Sequence, residues 1–312
     1  MVVPCYNESL NLSSFYLNVC HQIHTIQAQI NLAIQYEFIF INDGSTDNTW
    51  EILTQLNNQD NKIHCINFSR NFGKEAAILA GLKQAKGDAI VLIDADLQDP
   101  VELIFQMVKL YHTQSIDIIY AKRINRKGES AIRATFSEAF YKISQVISEV
   151  KIQSGVRDFR LMSKEVADAI LELNEYHRFS KAIFEWVGFN KMCLEYEYIP
   201  REAGISGWSF YKLFKYAIEG LISFSTLPLR LTFIFGMFFS IISFVYGGWI
   251  IFDTLLFGNS VKGYPSLMCV IIFLGGIQLI ALGIIGEYIA RIYEQVKNRP
   301  HFITRRENDP KK

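Results

Sequence analysis

Short apolar runs alternate with helical stretches over the first part of the chain. The runs typical of strands cover residues 1–5, 36–41, 62–71, 88–94 and 117–121. Helical stretches follow the first run to about residue 30 and the third run at residues 74–86. Strands that alternate with helices at this spacing predict an α/β domain with a mostly parallel sheet.

Each of the first four runs ends in polar residues. These residues are Asn7 and Glu8, Asp43, Ser69 and Arg70, and Asp94 and Asp96. In parallel sheets of α/β proteins, ligands bind beyond the carboxyl ends of the strands. Loops collect polar residues in any case, but their presence at four strand ends favours a binding site at this edge.

Two long uncharged stretches change the pattern after about residue 225. Residues 231–252 and 265–286 are each long enough to cross a bilayer as a helix. Basic residues flank the pair on both sides: Lys212, Lys215 and Arg230 before it, and Arg291, Lys297, Arg299, Arg305 and Arg306 after it. The positive-inside rule therefore predicts a transmembrane hairpin with both flanks in the cytoplasm and its short loop outside.

The polarity pattern divides the chain into four parts. The predicted parts are a catalytic-type α/β domain at 1–205, an interfacial amphipathic helix at 206–227, two transmembrane helices within 228–290, and a basic cytoplasmic tail at 291–312. Residues 131–147 are a second candidate for an interfacial helix.

Composition and charge exclude some functions. The 312 residues include 31 basic and 31 acidic side chains, so bulk electrostatics give no support for nucleic-acid binding. Five scattered cysteines show no CxxC or Cys/His spacing, which argues against zinc.

The fourth strand ends in the acidic stretch VLIDADLQDP. Asp94 and Asp96, one residue apart, with Gln98 nearby, offer hard oxygen ligands suited to Mg²⁺ or Mn²⁺. Helix capping and a solvated turn are the alternatives. No glycine-rich phosphate loop follows the first strand, so a bound diphosphate would need a cation, and this stretch supplies a place for one.

Several stretches resemble a known family. VVPCYNES, INDGSTDNT, SRNFGKEAAILAGL and GDAIVLIDADLQDP resemble the inverting nucleotide-sugar glycosyltransferases of family two, which have a Rossmann-like GT-A fold. KRINRKGES, SGVRDFRLMS, REAGISGW and GEYIARIYEQVKNRP resemble the polyprenyl-phosphate glycosyltransferases, close to bacterial bactoprenol glucosyltransferases and dolichol-phosphate mannose synthases. The match spans nearly the whole chain, departing at DPVE, where many relatives have a second proline.

The resemblance implies roles for the strand-end residues. It implies a uridine or guanosine pocket lined by Pro4, Tyr6 and Glu8, with Asp43 at the base or ribose. It implies that Ser69, Arg70 and Lys74 lie on the nucleotide side, and that Asp94, Asp96 and Gln98 hold the metal and the diphosphate. Asp99, before Pro100, is expected to cap a helix.

The later motifs imply an acceptor side. The candidates for the lipid phosphate are Arg123, Arg126, Arg133 and Ser137, with Arg201 as a further one. A basic loop that binds anionic lipid headgroups is the alternative. Asp158 would orient the acceptor or the sugar, or act as base if one is required, and a salt bridge to Arg157 or Arg160 is its alternative. The expected catalytic residues are Asp158, Asp96 and Arg201.

The implied activity is the metal-dependent, inverting transfer of one hexose to polyprenyl phosphate. UDP-glucose and undecaprenyl phosphate are the expected substrates, at the cytoplasmic face of the inner (plasma) membrane, with a homo-oligomer expected. A GDP-mannose-dependent enzyme is the nearest alternative. A non-catalytic scaffold or flippase partner is another, and a processive polysaccharide synthase is disfavoured because the QxxRW signature and further spans are missing.

Overall fold

A computed structural model describes residues 1–30, 34–124, 155–197, 227–257 and 263–308. The chain divides into two compact units. The first comprises Met1–Gly220 together with Pro300–Lys312, and the second comprises Leu221–Arg299.

The first unit contains a sheet and the helices packed against it. Its strands are β1 (Val2–Cys5), β2 (Phe38–Asn42), β3 (Ile63–Phe68), β4 (Ala89–Leu92), β5 (Ile118–Arg123), β6 (Val156–Ser163), β7 (Lys191–Tyr196) and β8 (Thr304–Asn308). Its helices are α1 (Leu12–Ile30), α2 (Thr49–Gln59), α3 (Lys74–Gln84), α4 (Leu103–Gln114), α5 (Lys164–Glu172) and α6 (Ser180–Trp186).

The eight strands form one mixed sheet in the order β7-β5-β6-β4-β1-β2-β3-β8. The pairs β1–β2, β1–β4, β2–β3 and β5–β7 are parallel. β6 is antiparallel to both of its neighbours, and β8 is antiparallel to β3. The predicted α/β class is confirmed, but β6 and β8 make the sheet less parallel than strand–helix alternation indicates.

Burial on both faces explains the apolar strands. All five residues of β2 are buried, as expected for a strand covered by helices on both sides. Helix α3 packs closely on this sheet: a Cβ atom added at Gly81 would lie 2.2 Å from Val2 Cγ1. The small residues of α3 therefore allow its close approach to β1, and this packing places its first residue, Lys74, at the carboxyl edge of the sheet.

The second unit contains two long helices, α7 (Leu227–Phe257) and α8 (Tyr264–Val296). The rings of Phe239 and Phe273 contact each other edge to face, with centroids 5.6 Å apart. Among the residues whose side chains are described, one stretch, Phe273–Val296, is long and apolar enough to cross a membrane, and Leu231–Ile242 is a shorter apolar stretch. These helices indicate membrane association; two complete spans remain a prediction.

A strand lies within the stretch that is predicted to form a basic tail. Helix α8 extends to Val296, and Thr304–Asn308 forms the edge strand β8 of the sheet in the first unit. The stretch TRREN is too polar for its sequence to predict a strand. It can form β8 because an edge strand does not need two apolar faces.

Candidate active site

The loops that follow β1 and β2 are joined by hydrogen bonds. The N–H of Asn7 donates to Ser45 Oγ at 3.0 Å, and Asn7 Oδ1 accepts from the N–H of Thr46 at 2.8 Å. The N–H of Glu8 donates to Thr49 Oγ1 at 2.9 Å. Asn7 has a left-handed backbone, φ 57°, which its short amide side chain tolerates. The two loops therefore form one connected rim at the carboxyl edge of the sheet.

The residues predicted to line a nucleoside pocket lie on this rim or just below it. Pro4 is paired with Ile41 inside the sheet, whereas the side chain of Tyr6 is 46% exposed. A carboxylate oxygen of Glu8 accepts from Asn11 Nδ2 at 2.7 Å. An exposed aromatic ring at this edge provides a face on which a nucleobase can stack.

Asp43 fixes the loop that follows β3. Its carboxylate is 3% exposed and accepts from the N–H of Phe72 at 2.7 Å and the N–H of Gly73 at 3.0 Å. Burial raises the pKa of Asp43 to about 6, although these N–H donors favour the charged form. A Cβ atom at Gly44, φ 63°, would lie 2.4 Å from the carbonyl carbon of Arg70. The β2 and β3 loops are therefore in close backbone contact.

Lys74 joins two predicted site carboxylates. Its Nζ lies 2.8 Å from Asp94 Oδ1 and 2.5 Å from Asp158 Oδ2. Burial opposes the charge on Lys74, but the carboxylates of Asp158 and Asp94 outweigh it and raise the pKa of the ammonium group. In turn, Lys74 lowers the pKa of Asp158 against the effect of burial. Lys74 and Asp158 are therefore both charged at neutral pH, and the contacts of Lys74 bring α3, β6 and the end of β4 together at one point.

Arg157 fixes the end of the acidic stretch. Its Nε donates to Asp99 Oδ1 at 3.2 Å, and a terminal guanidinium nitrogen donates to Gln98 Oε1 at 3.3 Å. The hydroxyl of Tyr196 also donates to Asp99 Oδ1, at 2.5 Å. Asp99 thus binds β6 and β7, and the expectation that it caps a helix is wrong, since Glu102 occupies the N-cap of α4. Asp99 Oδ2 is buried and accepts no hydrogen bond within the described residues.

Neither of the arginines next to Asp158 forms a salt bridge with it, which was the alternative to a functional role. Arg157 binds Asp99 and Gln98, as described above. Arg160 donates to the carbonyl oxygens of Asp158 and Arg157 at 3.0 and 2.9 Å, and its guanidinium lies 3.6 Å from the ring centroid of Phe184. Burial lowers the pKa of Arg160 to about 10. The carboxylate of Asp158 therefore forms its ion pair with Lys74, and the charges of Lys181 and Arg160 also lower its pKa.

The carboxylates of Asp94 and Asp96 are the groups that could hold a divalent cation. Asp96 is 6% exposed, and its Oδ1 accepts from the N–H of Gln98 at 3.2 Å. Within the described residues, no group of three or more His, Cys, Asp and Glu side chains could hold a metal ion. Mg²⁺, however, commonly binds through one or two carboxylates together with substrate phosphates and water. Asp94 already binds a cationic group, Lys74, whereas the side-chain oxygen of Gln98 is occupied by Arg157.

Two polar residues of this region make contacts that the sequence does not predict. Glu75 is half-buried and accepts hydrogen bonds from the N–H of Ser180, at 3.0 Å, and from its hydroxyl. Burial raises the pKa of Glu75 to about 7. Arg157 was considered only as a possible neighbour of Asp158. The position of Arg157 within the SGVRDFRLMS motif is the sequence feature that could have indicated its role. Nothing in the sequence indicates a role for Glu75, because first-turn glutamates are common in helices.

The predicted acceptor-side residues are only partly described. Arg123 ends β5, where its N–H donates to the carbonyl oxygen of Gly155 at 3.0 Å. Arg126, Arg133, Ser137 and Arg201 lie outside the described residues, as do both predicted interfacial helices. On the nucleotide side, Ser69 and Arg70 are exposed in the loop after β3.

Comparisons with known proteins identify the family. The family model of glycosyl transferase family 2 matches residues 1–171, and that of the GtrB C-terminal hairpin matches residues 227–292. The SfII prophage-derived bactoprenol glucosyl transferase of Shigella flexneri is 45% identical over 306 residues, covering 98% of this chain and 97% of that protein. The putative glycosyltransferase CsbB of Bacillus subtilis (strain 168) is 41% identical over 312 residues, covering 100% and 92%.

Solved structures also match at lower similarity. One is the glucosyl-3-phosphoglycerate synthase of Mycobacterium tuberculosis in complex with Mn²⁺, UDP-glucose and phosphoglyceric acid. It is 17% identical with a TM-score of 0.42, covering 69% of this chain and 74% of that one. The family assignment rests on the sequence: one family model matches more than half of the chain, and relatives above 40% identity match nearly all of it. The chain belongs to glycosyl transferase family 2.

Proposed function

We propose that this glycosyltransferase transfers one glucosyl group, with inversion, from UDP-glucose to a polyprenyl phosphate such as undecaprenyl phosphate. The observation that carries the proposal is the charged cluster of Lys74, Asp94 and Asp158 at the carboxyl edge of the sheet. The relatives named bactoprenol glucosyl transferase, matched over nearly their whole length, support glucose and a polyprenyl acceptor.

The donor diphosphate is assigned to the acidic side of this cluster. Asp94 and Asp96 would hold Mg²⁺ or Mn²⁺, which when bound stabilises negative charge on the leaving diphosphate. Asp94 and Lys74 lie 2.8 Å apart, so the ammonium group is close enough to contact an anion bound beside the carboxylate. The predicted roles of Tyr6, Glu8, Asp43, Ser69 and Arg70 on the nucleoside side belong to this proposal.

Asp158 is assigned to orienting the reacting groups rather than to deprotonation. A phosphate nucleophile is already anionic at neutral pH and needs no general base. Asp158 stays ionised because Lys74 lowers its pKa, so it can accept hydrogen bonds from sugar hydroxyl groups. The acceptor phosphate itself needs cationic groups that offset its repulsion from the donor phosphates. Arg123, Arg126, Arg133 and Arg201, with Ser137, are the proposed set.

A membrane hairpin is consistent with the sheet. Because β7 and β8 belong to one sheet, membrane crossings by the chain between them would be even in number. The sheet is therefore compatible with the proposed two spans within Leu227–Val296. The basic flanks support a catalytic unit at the cytoplasmic face of the inner membrane.

The proposal is tested with purified protein in detergent and undecaprenyl phosphate. Radiolabelled UDP-glucose, UDP-galactose, UDP-N-acetylglucosamine and GDP-mannose are supplied separately with Mg²⁺ or Mn²⁺, and label is followed into the lipid phase. We expect transfer from UDP-glucose, abolished by EDTA and reduced at least 100-fold in Asp158→Asn. Asp168→Asn, which removes an exposed carboxylate on α5, is the matched control and should keep wild-type activity.

The other outcomes are informative. Labelling from GDP-mannose alone would replace the donor and keep the reaction class. Transfer that is unaffected by EDTA and by Asp94→Asn would refute the metal assignment. No labelling from any of the four donors would refute the proposed reaction.

A further inference from the structure

The chain returns from the second unit to the edge of the catalytic sheet next to the candidate donor site. We call residues 301–308 the C-terminal strap. Its strand β8 is antiparallel to β3, with Thr304 opposite Phe68, and the carbonyl oxygen of Ile303 accepts from the N–H of Ser69 at 2.9 Å. Because the pairing is antiparallel, the strap begins at the carboxyl end of β3, where the loop of residues 69–73 starts.

Aromatic rings continue this contact into the loop. The ring of Phe302 stacks on Phe68, with centroids 4.9 Å apart and an interplanar angle of 14°. Phe68 meets Phe72 edge to face at 5.8 Å, and the guanidinium of Arg70 lies 4.1 Å from the ring centroid of Phe72. Aromatic pairs in such geometries attract each other beyond the burial of their area. Phe302 is thus joined to Arg70 through two intervening rings.

The same loop is held from its other side by Asp43. The N–H groups of Phe72 and Gly73 donate to its carboxylate, and Lys74 follows directly as the first residue of α3. The ring of Phe72 therefore contacts Phe68, on which Phe302 stacks, while its backbone is bound to Asp43. A displacement of Phe68 or Phe72 would alter the position of Arg70 and of the turn that precedes Lys74.

We infer that Phe302 is a positioning residue for donor binding: it fixes the loop of residues 69–73 so that the site can bind a nucleoside diphosphate. The inference rests on the proposed function, because the ligand is the proposed UDP-sugar. Phe302 acts through Phe68 and Phe72 and touches no reacting group. Its side chain is half-buried, and Lys83 lies over its outer face at 5.8 Å.

The strap itself provides a matched control. Ile303 contributes its backbone carbonyl to Ser69, but its side chain is 54% exposed. Ile303→Ala therefore removes apolar surface from the strap while it leaves both the backbone hydrogen bond and the stacked rings. Phe302→Ala removes the ring, Phe302→Leu keeps apolar volume without stacking, and Phe302→Tyr keeps the stacking face.

The test measures UDP binding to the full-length protein in detergent with Mn²⁺ by titration calorimetry. We expect Phe302→Ala to bind UDP about 10-fold more weakly than wild type, Phe302→Leu to be intermediate, and Phe302→Tyr and Ile303→Ala to lie within 2-fold of wild type. In transfer assays, Phe302→Ala should raise KM for the donor sugar nucleotide and leave kcat and KM for the lipid acceptor within 2-fold.

Hydrogen exchange of the amides of residues 69–73 provides a readout that needs no ligand. Phe302→Ala should accelerate exchange at Phe72 and Gly73 at least 10-fold, and Ile303→Ala should not. A Phe302→Ala protein with a lower Tm but unchanged UDP affinity and unchanged exchange in this loop would overturn the inference. If wild type binds no UDP, the proposed donor fails, and the exchange experiment alone decides whether Phe302 fixes the loop.

Discussion

The ammonium group of Lys74 lies between the carboxylate of Asp158, in β6, and that of Asp94, just after β4. Asp94 and Asp158 would repel each other without it, and a like-charge pair at this edge would weaken the packing of β4 against β6. Lys74 is also 37% exposed in its side chain, so water reduces each ionic contact. The cluster is therefore suited to binding charged ligands. When a ligand replaces one contact among the cation and the two anions, no charge is left buried without a partner.

The first prediction concerns the contact between Lys74 and Asp158. Lys74→Met leaves two carboxylates close together, so we expect it to destabilise the protein, whereas Lys74→Met combined with Asp158→Asn should be less destabilised than the sum of the two single variants. A coupling of about 1–2 kcal/mol is expected for a contact of this kind. Thermal or denaturant unfolding of the four proteins at pH 7.5 measures it. Strictly additive effects would show that the contact contributes nothing.

The second prediction concerns Glu75 and pH. Burial raises its pKa from 4.5 to about 7, so the folded protein binds more protons than the unfolded chain between these values. The free energy of unfolding therefore falls as pH rises from 4.5 to 7 and levels off above 7. Glu75→Gln can still accept hydrogen bonds from Ser180 but does not titrate, so its free energy of unfolding lacks this decrease. Between pH 4.5 and pH 8, the free energy of unfolding of Glu75→Gln should rise relative to wild type by on the order of 2–3 kcal/mol.

Unfolding free energies of both proteins across pH 4.5–8 test this prediction. All other titrating groups are shared, so the difference between the two curves isolates Glu75. Parallel curves would show that Glu75 titrates normally in the folded protein.

At the scale of single residues, the sequence identified the charged groups but not how they pair. Asp94, Asp96, Asp158 and Lys74 all belong to motifs that stand out in the sequence. Lys74 and Asp158, however, are 84 residues apart, and local spacing carries no information on such a contact. The pairing of Arg157 with Asp99 was missed for the same reason, because the nearest carboxylate along the chain, Asp158, is not the nearest one in space.

At the scale of elements, the turn after β2 restricts which substitutions the site tolerates. Gly44 has φ 63°, and a Cβ atom there would lie 2.5 Å from the backbone nitrogen of Asn71. Gly44→Ala should therefore cost more than 2 kcal/mol, from the left-handed backbone and from the forced separation of two loops. Gly73, φ 98° and ψ 158°, has open space around its Cβ position, so Gly73→Ala should suffer backbone strain alone, of about 1–3 kcal/mol, since almost only glycine adopts this backbone conformation.

Tm values of the two alanine variants, with UDP binding as a second readout, separate the two effects. A Gly44→Ala protein that loses no more than the backbone strain of a left-handed residue, about 1–2 kcal/mol, would argue that the β2 and β3 loops can move apart freely.

The sequence predicted the apolar parallel strands well and the charged strands poorly. The second strand was predicted at residues 36–41 and is found at Phe38–Asn42. The prediction is close because its unbroken apolar run reflects burial on both faces. β6 carries Arg157, Asp158 and Arg160, and β8 reads TRREN. Their charges are accommodated by ion pairs and by an exposed edge, neither of which appears in a hydrophobic pattern.

For the whole molecule, the resemblance to family-two glycosyltransferases is confirmed, and with it a GT-A-like mixed α/β sheet followed by an apolar helical hairpin. The resemblance carried most of this prediction, since periodicity alone supports only an α/β domain with apolar helices. The domain limits and the assigned site residues stay predictions.

Topology provides a prediction at this scale. Because β1 and β8 belong to one sheet, reporter tags joined to the two ends of the chain should lie on the same side of the membrane, and a tag inserted within residues 258–262 should lie on the other side. Protease protection in sealed vesicles of known orientation measures all three. End tags on opposite sides would contradict either the pairing of β8 with β3 or the membrane hairpin.

The position of β8 also affects how the protein is made. During translation, β1 to β7 leave the ribosome well before β8, and both long apolar helices are synthesised in between. Until residues 304–308 are made, the nascent sheet keeps an open edge along β3, which is a site for unwanted strand pairing. The strand that covers this edge is therefore synthesised after both apolar helices, and a chain that lacks residues 304–308 would leave the β3 edge open.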